Sequence, residues 1–249
     1  MGSRLKTRPT MRLLLCCFGE MSFYNKYRPR RFADVLGQQQ VIQILKNQVL
    51  SKHYHHAYLF YGASGTGKTT TARLLAMCLN CYSAGKRDEP CGQCDNCRTI
   101  RAGCNWDVIE IDAGRFRGID DIRELAYRAY FSPIGNKKVY ILDEAHQITG
   151  EGFNAMLKLL EEPPPHLVIM LCTTQFEKIP ETIQSRCQLY PFARLEPEDI
   201  KKKLEFISQD MGMTLNPKDI QSIAENSRGN MRSAENVLEQ IWQLRQKHE

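Results

Sequence analysis

Residues 62–69 read Gly-Ala-Ser-Gly-Thr-Gly-Lys-Thr, the pattern GxxxxGKT. This motif constrains the fold more tightly than any other feature, because it works only between a strand that delivers it and a helix that it opens. The flanks supply both. Residues 56–61 (HAYLFY) form a short apolar run rich in β-prone aromatics, and 69–80 place Ala72, Leu75, Ala76 and Leu79 at helical spacing. Glycines in such a loop let successive backbone N–H groups turn toward phosphate oxygens, and the helix N-terminus adds positive potential. Gly62, Ala63, Ser64, Gly65, Thr66, Gly67, Lys68, Thr69 and Thr70 are therefore the candidate phosphate cradle. Lys68 is expected to reach the β- and γ-phosphates, and the Thr69 hydroxyl to bind Mg²⁺. The alternative is a glycine-rich turn with no ligand.

The rest of the chain repeats the same alternation. Apolar runs predict strands over 107–111, 138–142, 167–173 and 187–192. Helices are predicted over 119–130, with Ile122, Leu125, Ala126 and Ala129 on one face, and over 152–162, with Phe153, Met156, Leu157 and Leu160 inward. The triple proline at 163–165 must end the second of these. After Arg194 the pattern changes to three helices, over 197–213, 217–228 and 231–247, with Pro197 and Pro217 suited to first turns. In the third, Ala234, Val237, Leu238, Ile241 and Leu244 form an apolar stripe. Strands alternating with helices imply an α/β fold, a parallel sheet flanked by helices. The expected organisation is a leader over 1–22, an α/β domain over 23–193 and a three-helix domain over 194–249.

Two clusters carry further chemistry. Asp143 and Glu144 end the run Val139-Tyr-Ile-Leu, where α/β sheets place their ligand chemistry. Asp143 can hold Mg²⁺ through water, and Glu144 is placed to orient or deprotonate an attacking water. Two solvated surface acids are the alternative. Cys81, Cys91, Cys94 and Cys97 fall within 81–97 with the spacing C-x9-C-x2-C-x2-C. Two overlapping CxxC steps can point thiolates at one centre, and a fourth ligand closes a tetrahedron, so the set reads as a zinc site. Disulfide pairing is the alternative. The remaining cysteines are scattered, several in apolar runs, which fits a reducing compartment.

Charge is less informative than it first looks. The chain of 249 residues carries a formal net charge of +6, but residues 1–31 alone sum to +7 and the remainder to −1. The basic excess is an N-terminal arm, not a DNA-binding domain. Its apolar run over 13–18 is too short for a secretory signal, so residues 1–20 are read as a leader, expected to be disordered, with an Arg-rich transit peptide as the alternative. No apolar stretch approaches the ~20 residues that cross a bilayer, so no membrane partner is expected.

At this point the chain resembles the AAA+ ATPase core of the gamma/tau family of bacterial clamp-loader subunits of DNA polymerase III. The resemblance runs over roughly 23–245. It is carried by Tyr27-Arg-Pro-Arg-Arg-Phe-Ala-Asp-Val-Leu-Gly-Gln38, Gly67-Lys-Thr-Thr-Thr-Ala-Arg73, Pro90-Cys-Gly-Gln-Cys-Asp-Asn-Cys97, Phe153-Asn-Ala-Met-Leu-Lys-Leu-Leu-Glu-Glu-Pro163, Ser185-Arg186-Cys187 and Gly229-Asn-Met-Arg232. It implies ATP, Mg²⁺ and Zn²⁺ as cofactors and an N-terminal segment bordering the adenine pocket. Thr174 is implied as the sensor of γ-phosphate or water, Arg232 as a second sensor in the helical lid, and Arg186 as an arginine finger acting in trans. The implied function is ATP-driven loading of a sliding clamp on primed DNA during replication, in the cytoplasm, with weak hydrolysis by the isolated chain. Implied partners are delta, delta-prime and further gamma/tau copies, the clamp, and primed DNA through the assembled complex. A non-hydrolysing subunit like delta-prime is the alternative, disfavoured by the complete GxxxxGKT. The segment Asp112-Ala-Gly-Arg-Phe-Arg-Gly118 and the pair Arg232-Ser233 depart from the family's pattern, which bears on partner contacts and lid coupling. The family continues into a helical collar, whereas this sequence stops at Glu249. It is read as a fragment or truncated relative that assembles poorly by itself.

Overall fold

The computed structural model describes residues 22–84, 86–116 and 118–246. The leader therefore lies outside the described residues, save Ser22. Five strands, β1 (Ala57–Gly62), β2 (Val108–Asp112), β3 (Lys138–Asp143), β4 (Leu167–Thr173) and β5 (Gln188–Phe192), make one sheet in the order β2-β3-β4-β1-β5. Every pairing is parallel. The β1 strand, with Leu59 opposite Leu171 on one side and Leu189 on the other, runs through the interior. The β4 strand is buried at all positions, as a strand covered on both faces must be.

Among the described residues, ten α-helices surround the sheet or follow it: α1 (Phe23–Lys26), α2 (Gln39–Ser51), α3 (Lys68–Asn80), α4 (Asp95–Arg101), α5 (Ile119–Ala129), α6 (Gly150–Glu161), α7 (Glu181–Gln184), α8 (Pro197–Asp210), α9 (Pro217–Asn226) and α10 (Met231–Gln246). Alternate strand residues go to opposite cores, the consequence of a two-residue period. Tyr58, Phe60, Val139, Ile141 and Met170 pack with α2 and α3. Leu59, Tyr140, Leu142, Ile169 and Leu171 pack with α5 and α6. A third core joins α8, α9 and α10 through Ile200, Leu204, Ile220, Ala224, Ala234 and Leu238.

Predicted and observed elements differ in informative places. The α2 helix is absent from the sequence reading, although Val41, Ile42, Leu45 and Val49 bury one of its faces. Ile44 and Leu50 on the same helix are exposed, so its apolar residues do not mark a single face cleanly. In α6 the buried residue is Leu159, and Leu157 is half-buried, because the helix packs broadly along α5 as well as on the sheet. In α10 Val237 and Leu244 are exposed. Trp242 packs there instead, its ring centroid 5.6 Å from that of Phe23. The α1 helix accounts for this. Phe23 and Tyr27 join the third core, the Phe23 N–H donates to Glu239 Oε2 (2.9 Å), and the Tyr27 hydroxyl donates to Asp210 Oδ2 (2.6 Å). The first residues described are thus pinned to the last helices.

Candidate functional site

The loop 62–67 leaves β1 and enters α3 with its backbone turned sharply. Gly62 has φ +143°, and a Cβ there would lie 2.2 Å from the Phe192 carbonyl oxygen, so no other residue fits. Lys68 opens α3 and folds back over the loop, its Nζ donating to the carbonyls of Gly62 (2.9 Å) and Ala63 (2.7 Å). Burial pushes the Lys68 amine below its usual value, and the Arg232 charge pushes the same way. Asp143 and Glu144 oppose the shift. A cation held this way gains most from a dense anion, which restores what burial removes.

The acids stand directly opposite. The Thr69 hydroxyl donates to Asp143 Oδ2 at 3.0 Å, which joins the two predicted Mg²⁺ ligands. Burial raises the Asp143 carboxyl above its usual range, against the Thr69 and Glu144 hydrogen bonds that lower it. A hard divalent cation would reverse that shift by favouring the charged form, and paired oxygen donors are what Mg²⁺ takes. Glu144 sits at φ +49°, a left-handed conformation uncommon for a side-chain-bearing residue, and its N–H is tied to Asp143 Oδ1 at 3.0 Å. This turn swings the Glu144 carboxylate to Thr174, whose hydroxyl donates to Oε2 at 2.9 Å. His146 Nδ1 lies 3.4 Å from the same oxygen and 3.0 Å from Thr173 Oγ1.

The helical tail closes the cleft. A Cβ on Gly65 would meet Asn230 Oδ1 at 1.9 Å, and the Met231 N–H donates to the Gly65 carbonyl (3.2 Å), so the turn before α10 rests on the phosphate-binding loop. Arg232 lines the cleft beside Lys68, Asp143 and Glu144. Its guanidinium lies 4.2 Å from the Tyr24 ring centroid and donates to the Tyr24 hydroxyl at 2.6 Å. The cleft is open to solvent and is lined on one side by Ser64–Thr70 and on the other by Met231, Arg232 and Glu235. Arg186 is not among its lining residues. It pairs with Glu161 (2.6 Å) on the outer surface and donates to the Thr182 carbonyl (2.7 Å).

The cysteine cluster lies beyond the far end of α3. The four sulfurs of Cys81, Cys91, Cys94 and Cys97 all lie within 4.8 Å of one another. Cys91 and Cys97 are 3.9 Å apart, too far for a disulfide, whereas ~3.8 Å is what a tetrahedron of ~2.3 Å zinc–sulfur bonds requires. Backbone N–H groups of Cys91, Cys94 and Cys97 reach Cys81, Cys91 and Cys94 sulfurs at 3.4–3.5 Å, donors that favour thiolates. The residues present therefore fit a zinc ion.

A family model described as DNA polymerase III, delta subunit, matches residues 37–196. The chain belongs to this family. It is 42% identical over 220 residues to the DNA polymerase III subunit tau of Bacillus subtilis, covering 88% of this chain and 39% of that protein. Against the subunit tau of Escherichia coli the figures are 43% over 217 residues, 87% and 34%. Against the subunit gamma of Buchnera aphidicola they are 39% over 225 residues, 90% and 62%. The chain thus spans 34–62% of the length of these relatives. RuvB of Thermotoga maritima, a Holliday junction branch migration motor, superposes with a TM-score of 0.61 at 16% identity over 85% of this chain and 64% of its own. At that identity the likeness shows the fold alone. The gamma/tau resemblance read from the motifs and the α/β fold class are both borne out.

Within this DNA polymerase III family chain, three contacts escaped the sequence reading. Gln38 is buried, its amide donating to the Ala193 carbonyl (2.8 Å) and accepting from the Ala193 N–H (3.2 Å), which fastens the N-terminal segment to the end of β5. Tyr24 lies between Arg232 and Arg28, whose guanidinium is 5.4 Å from its ring centroid. Glu89, inside the cysteine segment, accepts the Phe32 N–H (2.6 Å) and the Ala33 N–H (3.0 Å), and pairs with Lys46. Apart from the Tyr24–Arg28 contact, four residues apart, the partners are distant in sequence and leave no local signal.

Proposed function

We propose that the chain is the ATPase core of a clamp-loader subunit, which uses ATP binding and hydrolysis to place a sliding clamp on primed DNA during replication. The observation that carries this reading is the convergence of a complete phosphate-binding loop, the Thr69–Asp143 pair and the Thr174–Glu144 pair in one cleft. Residues 62–70 cradle the phosphates, with Lys68 turned from its carbonyls onto the β- and γ-phosphates. Thr69 and Asp143 hold Mg²⁺, which when bound neutralises developing charge on the phosphates. Glu144 orients and deprotonates the attacking water, and Thr174 fixes its carboxylate. Arg232 reaches the γ-phosphate in cis and links the lid angle to nucleotide. Arg186 completes a neighbouring subunit's site, a contribution worth about 10³–10⁵ in rate in other NTPases.

Cys81, Cys91, Cys94 and Cys97 bind a structural Zn²⁺. In this reading 23–193 form the ATPase domain with the insertion 81–97, 194–249 form the lid domain, and the protein acts in the cytoplasm. Its partners are delta, delta-prime and further gamma/tau copies, the clamp, and primed DNA through the complex. A delta-prime-like scaffold is the second reading, favoured by the delta-subunit name of the family model. Equilibrium binding of ATP to the wild type and to Lys68→Ala separates the two. The ATPase reading expects affinity to fall by at least tenfold in the variant, and equal affinity supports the scaffold. Rapid ATP turnover by a proven monomer would remove the trans role of Arg186.

A further inference from the structure

The cleft has a second chemical character away from its phosphate-binding loop. Leu36 and Leu195 line it there, with the ionisable side chains Lys203 and Glu235, and Asp34, whose charge also acts on Lys203. Glu235 stands on α10 one turn beyond Arg232 and is 3% exposed. Its side chain makes no hydrogen bond or ion pair among the described residues. A buried carboxylate without a donor is costly and is normally satisfied by something. Arg232, three residues before Glu235 on α10, lines the same cleft as Lys68, Asp143 and Glu144, and its charge acts on both Lys68 and Glu235. Arg232 is engaged on Tyr24. Lys203 uses one N–H on the Tyr27 carbonyl (3.0 Å), which leaves its other protons for a further acceptor. Burial raises the Glu235 carboxyl and lowers the Lys203 amine, so both gain from a polar partner.

We infer that Glu235, beside Lys203, reads the nucleobase: its carboxylate accepts a hydrogen bond from the exocyclic amine of a bound adenine nucleotide, whose ring lies against Leu36 and Leu195. Adenine presents its 6-amino donor beside a ring-nitrogen acceptor, the complement of a carboxylate beside an ammonium. The inference rests on the ATP reading above and adds a residue that the phosphate-binding motif does not contain.

The test is equilibrium binding to the whole chain with Mg²⁺ at pH 8, comparing ATP with purine riboside triphosphate, which lacks the 6-amino group. The wild type is expected to prefer ATP by at least about tenfold, the worth of one hydrogen bond to a buried charged acceptor. Glu235→Leu, which fills the same space without an acceptor, should bring the ratio close to one. Glu235→Gln, which keeps a carbonyl acceptor, should retain most of the preference. Equal affinities in the wild type, or an undiminished ratio in Glu235→Leu, overturn the inference and leave the ATP reading standing. Tighter binding of GTP than of ATP overturns the adenine assignment. Failure of the wild type to bind any triphosphate overturns the nucleotide reading, and the inference with it.

Discussion

Glu235 also makes a prediction about stability that needs no ligand. Burial lifts its carboxyl from an ordinary value of 4.5 to about 7, even with Lys203 and Arg232 acting in the opposite direction. A raised native value means that the folded state holds the proton more tightly than the unfolded chain. The stability it represents is fully present below pH 4.5 and is lost as the pH rises through about 7. At about 1.4 kcal/mol per unit, ionised Glu235 destabilises the fold by ~3 kcal/mol at pH 8. Glu235→Leu removes that charge and keeps a side chain of similar size. Urea denaturation at pH 5 and pH 8 measures the effect. The stability of the variant relative to the wild type should increase by about 2.5 kcal/mol between the two pH values, the unfolded carboxyl being already largely ionised at pH 5, with the shift centred between 4.5 and 7. A difference that does not change with pH would refute the reasoning, since a pure packing effect has no such dependence. A result of this sign would also mean that the chain keeps a residue that weakens it at neutral pH, as binding residues commonly do.

Two other perturbations test the site. Thr174→Val removes the hydroxyl that holds Glu144 at 2.9 Å; hydrolysis in the reconstituted complex should fall about tenfold or more while ATP affinity stays within about twofold, and an equal loss of both would assign Thr174 to binding. Chelation of zinc should release the segment 81–97 to proteolysis and loosen Phe32 and Ala33, whose N–H groups Glu89 accepts. ATP affinity should survive, because the helix separating the two sites is 13 residues, ~20 Å, long. Loss of ATP binding on chelation would place the cysteine segment within the nucleotide site.

Much of this molecule is legible in its linear order. The glycines of 62–67 and the acids that follow β3 are local patterns, and hydrophobic periodicity finds every strand within one or two residues. The spacing of Cys91, Cys94 and Cys97 is fixed by one turn and one short helix, so the cluster follows from local geometry with Cys81 added from the end of α3. The misses have a shared physical cause. Residues such as Val237 and Leu244 obey the helical period, but Phe23, which arrives from the other end of the chain, decides which face of α10 is covered.

The sequence by itself determined the alternation of strands and helices, the glycine-rich GxxxxGKT loop and the four-cysteine cluster, because each depends on backbone geometry within a few residues. Only the tertiary structure decided the strand order β2-β3-β4-β1-β5, the rest of Asn230 on Gly65, and the burial of Glu235. Glu235 reads as a surface acid on a polar helix until the folded chain buries it. Desolvation depends on which distant segments surround a side chain, and no local pattern encodes that.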